Sequence, residues 1–311
     1  SNEQSKANLQ AAVTANPNKF YVVECYSGNK YANKAVNYLK EIGVSENRII
    51  VLEGGAAGWT GFQTSSVKIS AADLKADIDN TQSYKLIDAR KAADYATSHI
   101  VGAVSADMDC VVNGTDEATA LANAKAAITG DSADQKYAII CYSGNRYAQK
   151  ATEMLIKNGV DRANIVTLSD GMKKGWTEAN YLVKSYTSTK GKFFKHGMTV
   201  AQLKANLDAG NTPFIVFDLR DAVAYNTSHI DGAISTPLRE SIDGKVTDLS
   251  DDTCKANLDA AVKANPNKFY VVECYSGNNY AEKAVNYLKE LGVSEDKVIA
   301  LEGGAAAWNA Q

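Results

Sequence analysis

Residues 136–176 read KYAIICYSGNRYAQKATEMLIKNGVDRANIVTLSDGMKKGW and contain the pattern that organises this 311-residue chain. Tyr137–Ile140 is a short apolar run of the kind that forms a buried parallel strand. After a loop at 141–146, apolar residues recur with the spacing of one helical face. These residues are Ala148, Ala151, Met154 and Leu155. Gly159 predicts the end of the helix, and Ile165–Leu168 predicts another strand, so the segment is expected to fold as strand, loop, helix and strand.

The same half-domain occurs three times in the chain. One copy runs from Lys6 to Gly61, and a nearly identical copy runs from Lys255 to the C-terminus. A second pattern, at Lys85–Ala103, recurs at Phe214–Ala233, and each occurrence precedes a cysteine-containing half. Repetition on this scale has to be recognised before domains are counted, because each half is only part of a folding unit.

Pairing the halves predicts two complete domains and one incomplete one. The complete domains are expected at 64–186 and 190–311, and residues 1–61 are expected to be a second half whose first half is missing or is supplied by another segment. Exchange with the near-identical half of another copy would make a homo-oligomer. The alternation of strands and helices predicts the α/β class, as repeated three-layer α/β/α units with a mainly parallel central sheet.

Cys141 is the residue with the clearest chemical role. A cysteine between a strand and a helix lies against backbone N–H groups that the helix start leaves unpaired, and these groups favour a thiolate or a bound anion. Gly144 allows the backbone torsions that turn such N–H groups inward. Arg146 adds a planar donor suited to a sulfonate-like oxyanion.

These residues resemble the rhodanese (thiosulfate sulfurtransferase) family, in which a Cys-x-x-Gly-x-Arg loop follows a central strand. Cys141, Gly144 and Arg146 match that loop. The resemblance extends to positions outside the loop, which are Asp88, Arg90, Tyr95, His99, Gly102, Gly171 and Trp176, and in the last repeat Asp218, Arg220, Tyr225, His229, Gly232, Gly303 and Trp308. It implies that Cys141 takes the outer sulfur of a donor such as thiosulfate as a persulfide and passes it to a thiol or cyanide-like acceptor. The substrate-binding residues would be Tyr142, Ser143, Gly144, Asn145 and Arg146.

The three cysteine loops differ at the arginine position. Cys25 is followed by Lys30 and Cys274 by Asn279, so donor binding is expected to weaken from Arg146 to Lys30 to Asn279. Cys25 and Cys274 are therefore candidates for secondary reactive loops or for inert scaffold. A glutamate precedes each of them, at positions 24 and 273, and it opposes thiolate formation if it faces the sulfur.

The remaining conspicuous residues favour structural interpretations. Asp88, Arg90 and His99, with Asp218, Arg220 and His229, are expected to form a polar network that secures the fold. Cys110 and Cys254 lie outside the loop motif and are expected to be incidental, and Trp59, Trp176 and Trp308 are expected to anchor the core. His196, near the boundary between repeats, is expected at the solvated surface, with a place in an inter-domain groove as the alternative.

Composition excludes several classes of protein. The net charge is −3, with no basic stripe for nucleic acid, and no apolar run is long enough for a membrane span. The five cysteines are widely spaced without a CxxC pair, so we expect no disulfide framework, no metal site and no cofactor. Residues 1–6 lack the apolar core of a signal peptide, while the Asn, Tyr, Ala and Lys content favours an exported bacterial protein.

Two functional alternatives stand beside sulfur transfer. The array could be a non-catalytic scaffold or a sulfur-relay binding protein, which the altered outer loops favour. The loop could also bind a phosphate-like anion, although its short length favours a sulfur-sized site. The intact Arg146 favours the enzyme.

Overall fold

The computed structural model describes residues 2–17, 19–25, 27–55, 67–210 and 213–310. The chain divides into two compact units, Ser1–Ser65 and Ser66–Gln311. Trp59, for which the sequence predicts a core position, lies outside the described residues.

In its described residues, the N-terminal unit has a small parallel sheet and helices that follow the predicted order. Its elements are α1 (Asn2–Ala15), β1 (Tyr21–Val23), α2 (Lys30–Glu41) and β2 (Ile49–Val51). The two strands pair in parallel, with Tyr21 opposite Ile49. Val23, Ala32, Leu39 and Val44 form its small buried core.

The C-terminal unit begins with a parallel sheet whose strands are β3 (Val67–Ile69), β4 (Tyr84–Asp88), β6 (Ala103–Ser105), β7 (Lys136–Ile140) and β8 (Ile165–Leu168). The spatial order is β3-β8-β7-β4-β6, and every pairing is parallel. The helices of this part are α3 (Ala71–Asp79), α4 (Ala92–Thr97), α5 (Asp109–Val112), α6 (Glu117–Ala127) and α7 (Arg146–Lys157). We call this sheet and its helices the first domain.

The second domain begins with a hairpin of two antiparallel strands. Its strands are β9 (Leu182–Thr187), β10 (Phe193–Met198), β11 (Phe214–Asp218), β12 (Ile234–Ser235), β13 (Arg239–Ile242), β14 (Lys245–Asp248), β15 (Phe269–Glu273) and β16 (Val298–Leu301). Its helices are α8 (Val200–Asp208), α9 (Ala222–Thr227), α10 (Asp251–Ala264), α11 (Asn279–Glu290) and α12 (Gly304–Asn309). The sheet order is β12-β11-β15-β16-β10-β9-β5, in which β5 (His99–Ile100) comes from the first domain.

Helices cover both faces of each sheet. On one face of the first sheet, β4 and β7 pack against α6 and α7 through residues such as Ile87, Ile139 and Leu155. On the other face, a single core that includes Leu74 and Leu203 is shared between the two domains. These layers and the parallel pairing confirm the predicted three-layer α/β architecture with a mainly parallel sheet.

The helix after the Cys141 loop forms as the sequence predicts. Its predicted apolar face, Ala148, Ala151, Met154 and Leu155, is buried. The helix ends at Lys157. Gly159, two residues later, has a φ of +92°, and its N–H donates to the carbonyl of Ile156 at 2.9 Å. The predicted stop is confirmed, because this left-handed backbone is one that glycine adopts without steric cost.

Candidate active site

Cys141 lies at the carboxyl end of β7, a strand in the middle of the first sheet. The residue is 1% exposed and packs among the side chains beneath α6 and α7. The backbone N–H of Gly144, which lies two residues before α7, donates to the Cys141 Sγ at 3.2 Å. A donor in this position stabilises negative charge on sulfur more than it stabilises the neutral thiol.

The loop packs closely on the turn that follows β8, and this close approach requires Gly171. Gly171 has a φ of +57°, and a Cβ there would lie 2.3 Å from the carbonyl oxygen of Cys141. With no side chain in the way, Met172 N–H donates to that oxygen at 2.8 Å and Lys173 N–H donates to the Tyr142 oxygen at 3.0 Å. These bonds fix the loop from below.

Tyr142 turns its hydroxyl toward α4, an orientation that the sequence left open. The hydroxyl donates to the carboxylate of Asp94 and accepts the N–H of Lys91 at 3.3 Å. Burial raises the pKa of Tyr142, and the bond to Asp94 raises it further. Tyr142 therefore ties the Cys141 loop to the loop that carries Arg90 and Lys91.

Arg146 is the first residue of α7 and is exposed, as are Ser143 and Asn145. Its Nη2 donates to the carbonyl of Val112 and, at 2.9 Å, to Oδ1 of Asn113. A guanidinium has five N–H donors, so these two bonds leave others for an anion. Its role as an oxyanion anchor stays a prediction.

Asp88 and Arg90 bond to each other on the face of the sheet opposite to the Cys141 side chain, while His99 bonds instead to the carbonyl of Tyr95. Asp88 is in register with Ile140, so the side chain of the following residue, Cys141, points to the other face. Arg90 Nη2 donates to Asp88 Oδ2 at 2.7 Å and to the carbonyl of Ser98 at 2.6 Å. This placement supports the structural interpretation of these residues.

The second domain repeats the pair of Asp218 and Arg220 with nearly the same geometry. Arg220 Nη2 donates to Asp218 Oδ2 at 2.6 Å and to the carbonyl of Ser228 at 2.6 Å. His229 Nδ1 lies 3.0 Å from the Tyr225 carbonyl, and His229 is exposed.

Comparison with known proteins identifies the family. A rhodanese-like domain is recognised at residues 70–179 and again at residues 199–311. The chain belongs to the rhodanese-like family. Membership supports a role of the sulfurtransferase type.

Several solved structures are similar to the chain. They include a rhodanese-like domain from Anabaena sp., 26% identical over 37% of this chain and 73% of that one, with a TM-score of 0.28. A protein from Bacillus halodurans is 29% identical over 37% of this chain and 71% of that one, with a TM-score of 0.28. A thiosulfate sulfurtransferase from Pseudomonas aeruginosa is 16% identical over 98% of this chain and 81% of that one, with a TM-score of 0.30. No protein with a curated description matches the sequence significantly.

The cysteine loop of the N-terminal unit is more open than that of the first domain, since Cys25 is only partly buried. Burial raises the pKa of the Cys25 thiol, yet backbone N–H groups outweigh this effect and hold the pKa below its usual value. These N–H groups belong to Ala32, Ser27, Asn29 and Gly28. Lys30 begins α2, at the position where Arg146 begins α7.

The rhodanese loop of the second domain holds Cys274, which is 2% exposed and whose carbonyl accepts the N–H of Ala305 at 2.9 Å. Asn279 begins α11, again at the arginine position. Glu273 faces away from Cys274, because it is in register with Asp218, and its Oε1 lies 3.8 Å from Arg220 Nε. Of the two orientations that the sequence left open, the structure therefore has the one that separates this carboxyl from the sulfur.

The two cysteines outside the loops are held in packed surroundings. Cys110 Sγ lies 3.9 Å from the carbonyl of Asp107, and Cys254 is fully buried against α10 neighbours such as Leu258. Burial raises the pKa of both thiols. Trp176 lies in the core, where its Nε1 donates to the Glu178 carbonyl at 3.0 Å.

The prediction that His196 is a solvated residue is wrong. His196 is 1% exposed, and its Nδ1 lies 2.8 Å from Nε2 of His99 in the first domain. Its Nε2 lies 3.5 Å from Asp296. Burial, followed by the neighbouring His196, lowers the pKa of His99 to about 3. The lone histidine could not be paired from sequence because its partner is 97 positions away.

Residues near the loop that sequence reasoning missed are polar side chains outside any motif. Tyr147 packs edge-on against Tyr142 at 5.0 Å, and its hydroxyl donates to Asp109 at 2.5 Å. Lys68, on β3, donates from its ammonium to the carbonyl of Gly144. No sequence signal distinguishes these residues from ordinary surface residues, because their positions depend on how separate strands pair.

Within the ranges that the structure describes, no helix combines the length and apolar character required to cross a membrane. No group of three or more His, Cys, Asp or Glu side chains is arranged to hold a metal ion in that part of the chain.

Proposed function

We propose that this chain moves sulfane sulfur from thiosulfate or a related donor to a thiophilic acceptor through a persulfide on Cys141. The observation that carries the proposal is the Gly144 N–H, 3.2 Å from the Cys141 Sγ, at the end of a central strand and the start of a helix. The same donor suits a thiolate and the terminal sulfur of a persulfide.

In the first step, the Cys141 thiolate attacks the outer sulfur of thiosulfate. A bond forms between the Cys141 Sγ and that outer sulfur, the S–S bond of thiosulfate breaks, and sulfite leaves with the bonding pair. In the second step, a thiolate or cyanide attacks the outer sulfur of the persulfide. The acceptor keeps that sulfur, and the bonding pair returns to the Cys141 Sγ.

We assign the reaction to the complete domain at 64–186. The domain at 190–311 would support assembly or acceptor recognition, because Asn279 supplies no charge where the first domain has Arg146. Residues 1–61, as a second half, would react weakly through Cys25 or serve as scaffold.

The test is intact mass after incubation with thiosulfate, followed by peptide mapping. A gain of about 32 Da on the Cys141 peptide, lost on addition of cyanide, is expected for a persulfide. Cys274→Ser is the matched control, because both cysteines are buried and precede the same Tyr-Ser-Gly-Asn sequence. Cys141→Ser should abolish turnover, and Cys274→Ser should leave it nearly unchanged.

The competing function is a rhodanese-like scaffold without catalysis. Two observations favour it: Cys141 is 1% exposed, and Arg146 Nη2 already bonds to Val112 and Asn113. Absence of a sulfur adduct on Cys25, Cys141 and Cys274 would favour this scaffold over the enzyme.

A further inference from the structure

Three cationic side chains that form no ion pair with a described residue lie beside the Cys141 loop in the first domain, and only one belongs to the family motif. Arg146 follows the loop, Lys68 donates to the Gly144 carbonyl from β3, and Lys173 lies with its Nζ 5.9 Å from the centre of the Tyr142 ring. We call Lys68, Arg146 and Lys173 the cationic rim.

Both lysines are exposed, and neither forms an ion pair with a residue that the structure describes. Gly144 lies between Lys68 and the sulfur. Its carbonyl accepts a hydrogen bond from the Lys68 ammonium, and its N–H donates to the Cys141 Sγ. A cation that is not paired with a carboxylate can attract an anionic ligand at the loop.

The second domain lacks all three cations. Gly197 takes the place of Lys68, because Gly197 pairs with Ala300 as Lys68 pairs with Thr167. A lysine cannot be accommodated there, since a Cβ on Gly197 would lie 2.4 Å from the Cβ of Tyr186.

At the other two positions the replacements are Asn279 and Ala306. Ala306 N–H donates to the Tyr275 carbonyl as Lys173 N–H donates to the Tyr142 carbonyl, which establishes the correspondence between the two turns. The second domain therefore keeps the loop sequence around its cysteine and lacks the three cations of the rim.

We infer that Lys68 and Lys173 are specificity-determining residues that, with Arg146, recruit dianionic sulfur donors to Cys141 and not to Cys274. This inference rests on the proposed function for its substrate class. An anion near the loop gains Coulomb energy from each rim cation, and a dianion gains twice as much as a monoanion. At a separation of about 7 Å in water, one such cation changes the local concentration of a monoanion about two- to threefold at low salt.

The experiment compares two alkylating reagents that differ by one charge. Iodoacetate is an anion and iodoacetamide is neutral. The same thiolate attacks the CH₂ carbon of either reagent and iodide leaves, so the ratio of the two rates at one cysteine cancels the ionisation of the thiol. Peptide mapping gives the ratio separately for Cys141 and Cys274. We expect a higher ratio at Cys141, and a fall of about two- to threefold in Lys68→Met and in Lys173→Met at low salt.

The matched control is Lys136→Met. Lys136 is exposed and begins β7, five residues before Cys141, so it lies roughly 16 Å away along the strand and should leave the ratio unchanged. Lys68→Arg keeps the charge and should keep the ratio. An equal ratio at both cysteines, or the same fall in the control, would overturn the inference.

These outcomes separate this inference from the proposed function. An alkylation ratio that depends on the cationic rim, with no persulfide on any loop cysteine, would support anion selection by the rim and contradict the sulfur-transfer proposal. A persulfide on Cys141, together with an alkylation ratio that neither Lys68→Met nor Lys173→Met changes, would support the sulfur-transfer proposal and contradict the inference about the cationic rim.

Discussion

Glu273→Gln should make the second domain more stable, and by an amount that grows with pH. Glu273 is 1% exposed, shares Arg220 with Asp218, and leaves its Oε2 without a hydrogen-bond partner. Burial, followed by the negative charge of Asp218, raises the pKa of Glu273 from 4.5 to about 8. Glutamine has nearly the same volume and cannot ionise.

The sign and size of the effect follow from the two pKa values. The folded state holds the proton more tightly than the unfolded state, so the stability present below pH 4.5 is lost progressively as the pH rises toward 8. Each pH unit inside that window costs about 1.4 kcal/mol, so wild type should have lost on the order of 3 kcal/mol by pH 7. Glu273→Gln should not lose this stability.

Hydrogen exchange measures the difference in the relevant strand. The peptide that covers Phe269–Glu273 is compared between wild type and variant at the same pH, so the intrinsic dependence of exchange on pH cancels. Glu24→Gln is the matched control, because residues 19–28 and 268–277 have the same sequence while Glu24 is exposed. If the difference between wild type and Glu273→Gln stayed constant from pH 5 to pH 8, the buried-carboxyl reasoning would be refuted.

Three further substitutions test the loop and the packing around it. Gly171→Ala should cost about 2 kcal/mol or more and slow the labelling of Cys141, because its Cβ would lie 2.3 Å from the Cys141 oxygen; thermal unfolding and peptide mapping check this. Ile140→Glu should destabilise the first domain by several kcal/mol, since it buries a second carboxyl beside Asp88; urea unfolding measures it. Thr199→Ala removes a capping box at the start of α8 and should cost about 1 kcal/mol in the same assay.

Local features of the first domain follow from sequence because they depend on short-range patterns. The run Tyr137–Ile140 and the helical face from Ala148 to Leu155 have the periodicity of a strand and a helix, and both are buried as expected. The position of Cys141 between them follows directly. The orientation of Glu273 does not, because it depends on the register of β15 with β11, which no local pattern specifies.

Contacts between separate parts of the chain are harder to predict. His99 and His196 are brought together only because β5 joins the sheet of the second domain through β9. Likewise, Lys68 reaches Gly144 because β3 is the neighbour of β8 in the folded sheet. Both contacts depend on the order of the strands in the sheet. Sequence periodicity predicts that a segment is a strand, but it does not predict which strands lie beside it.

Burial in the N-terminal unit could not be predicted from sequence either, because the same sequence recurs in the second domain with different burial. Phe20 and Val22 are 67% and 61% exposed, whereas their counterparts Phe269 and Val271 are 4% and 0% exposed. In the second domain, β11 pairs along the whole of β15, and no such strand pairs with β1 among the described residues. The difference in burial therefore comes from the neighbouring strand and not from the residues themselves.

The three cysteine loops also differ in their surroundings, and these differences affect the reactivity of each cysteine. Each contains Cys-Tyr-Ser-Gly-Asn, yet the loops differ in burial of the sulfur and in the charge around it. Cys25 is partly exposed and its pKa lies below the usual value, while Cys141 is buried inside the cationic rim. Reactivity toward a neutral reagent depends on how exposed and how acidic the thiol is. Recruitment of an anionic donor depends on the charge around the loop. Neutral alkylation should therefore be fastest at Cys25 and anionic sulfur transfer fastest at Cys141, so a loop motif alone does not identify the cysteine that acts.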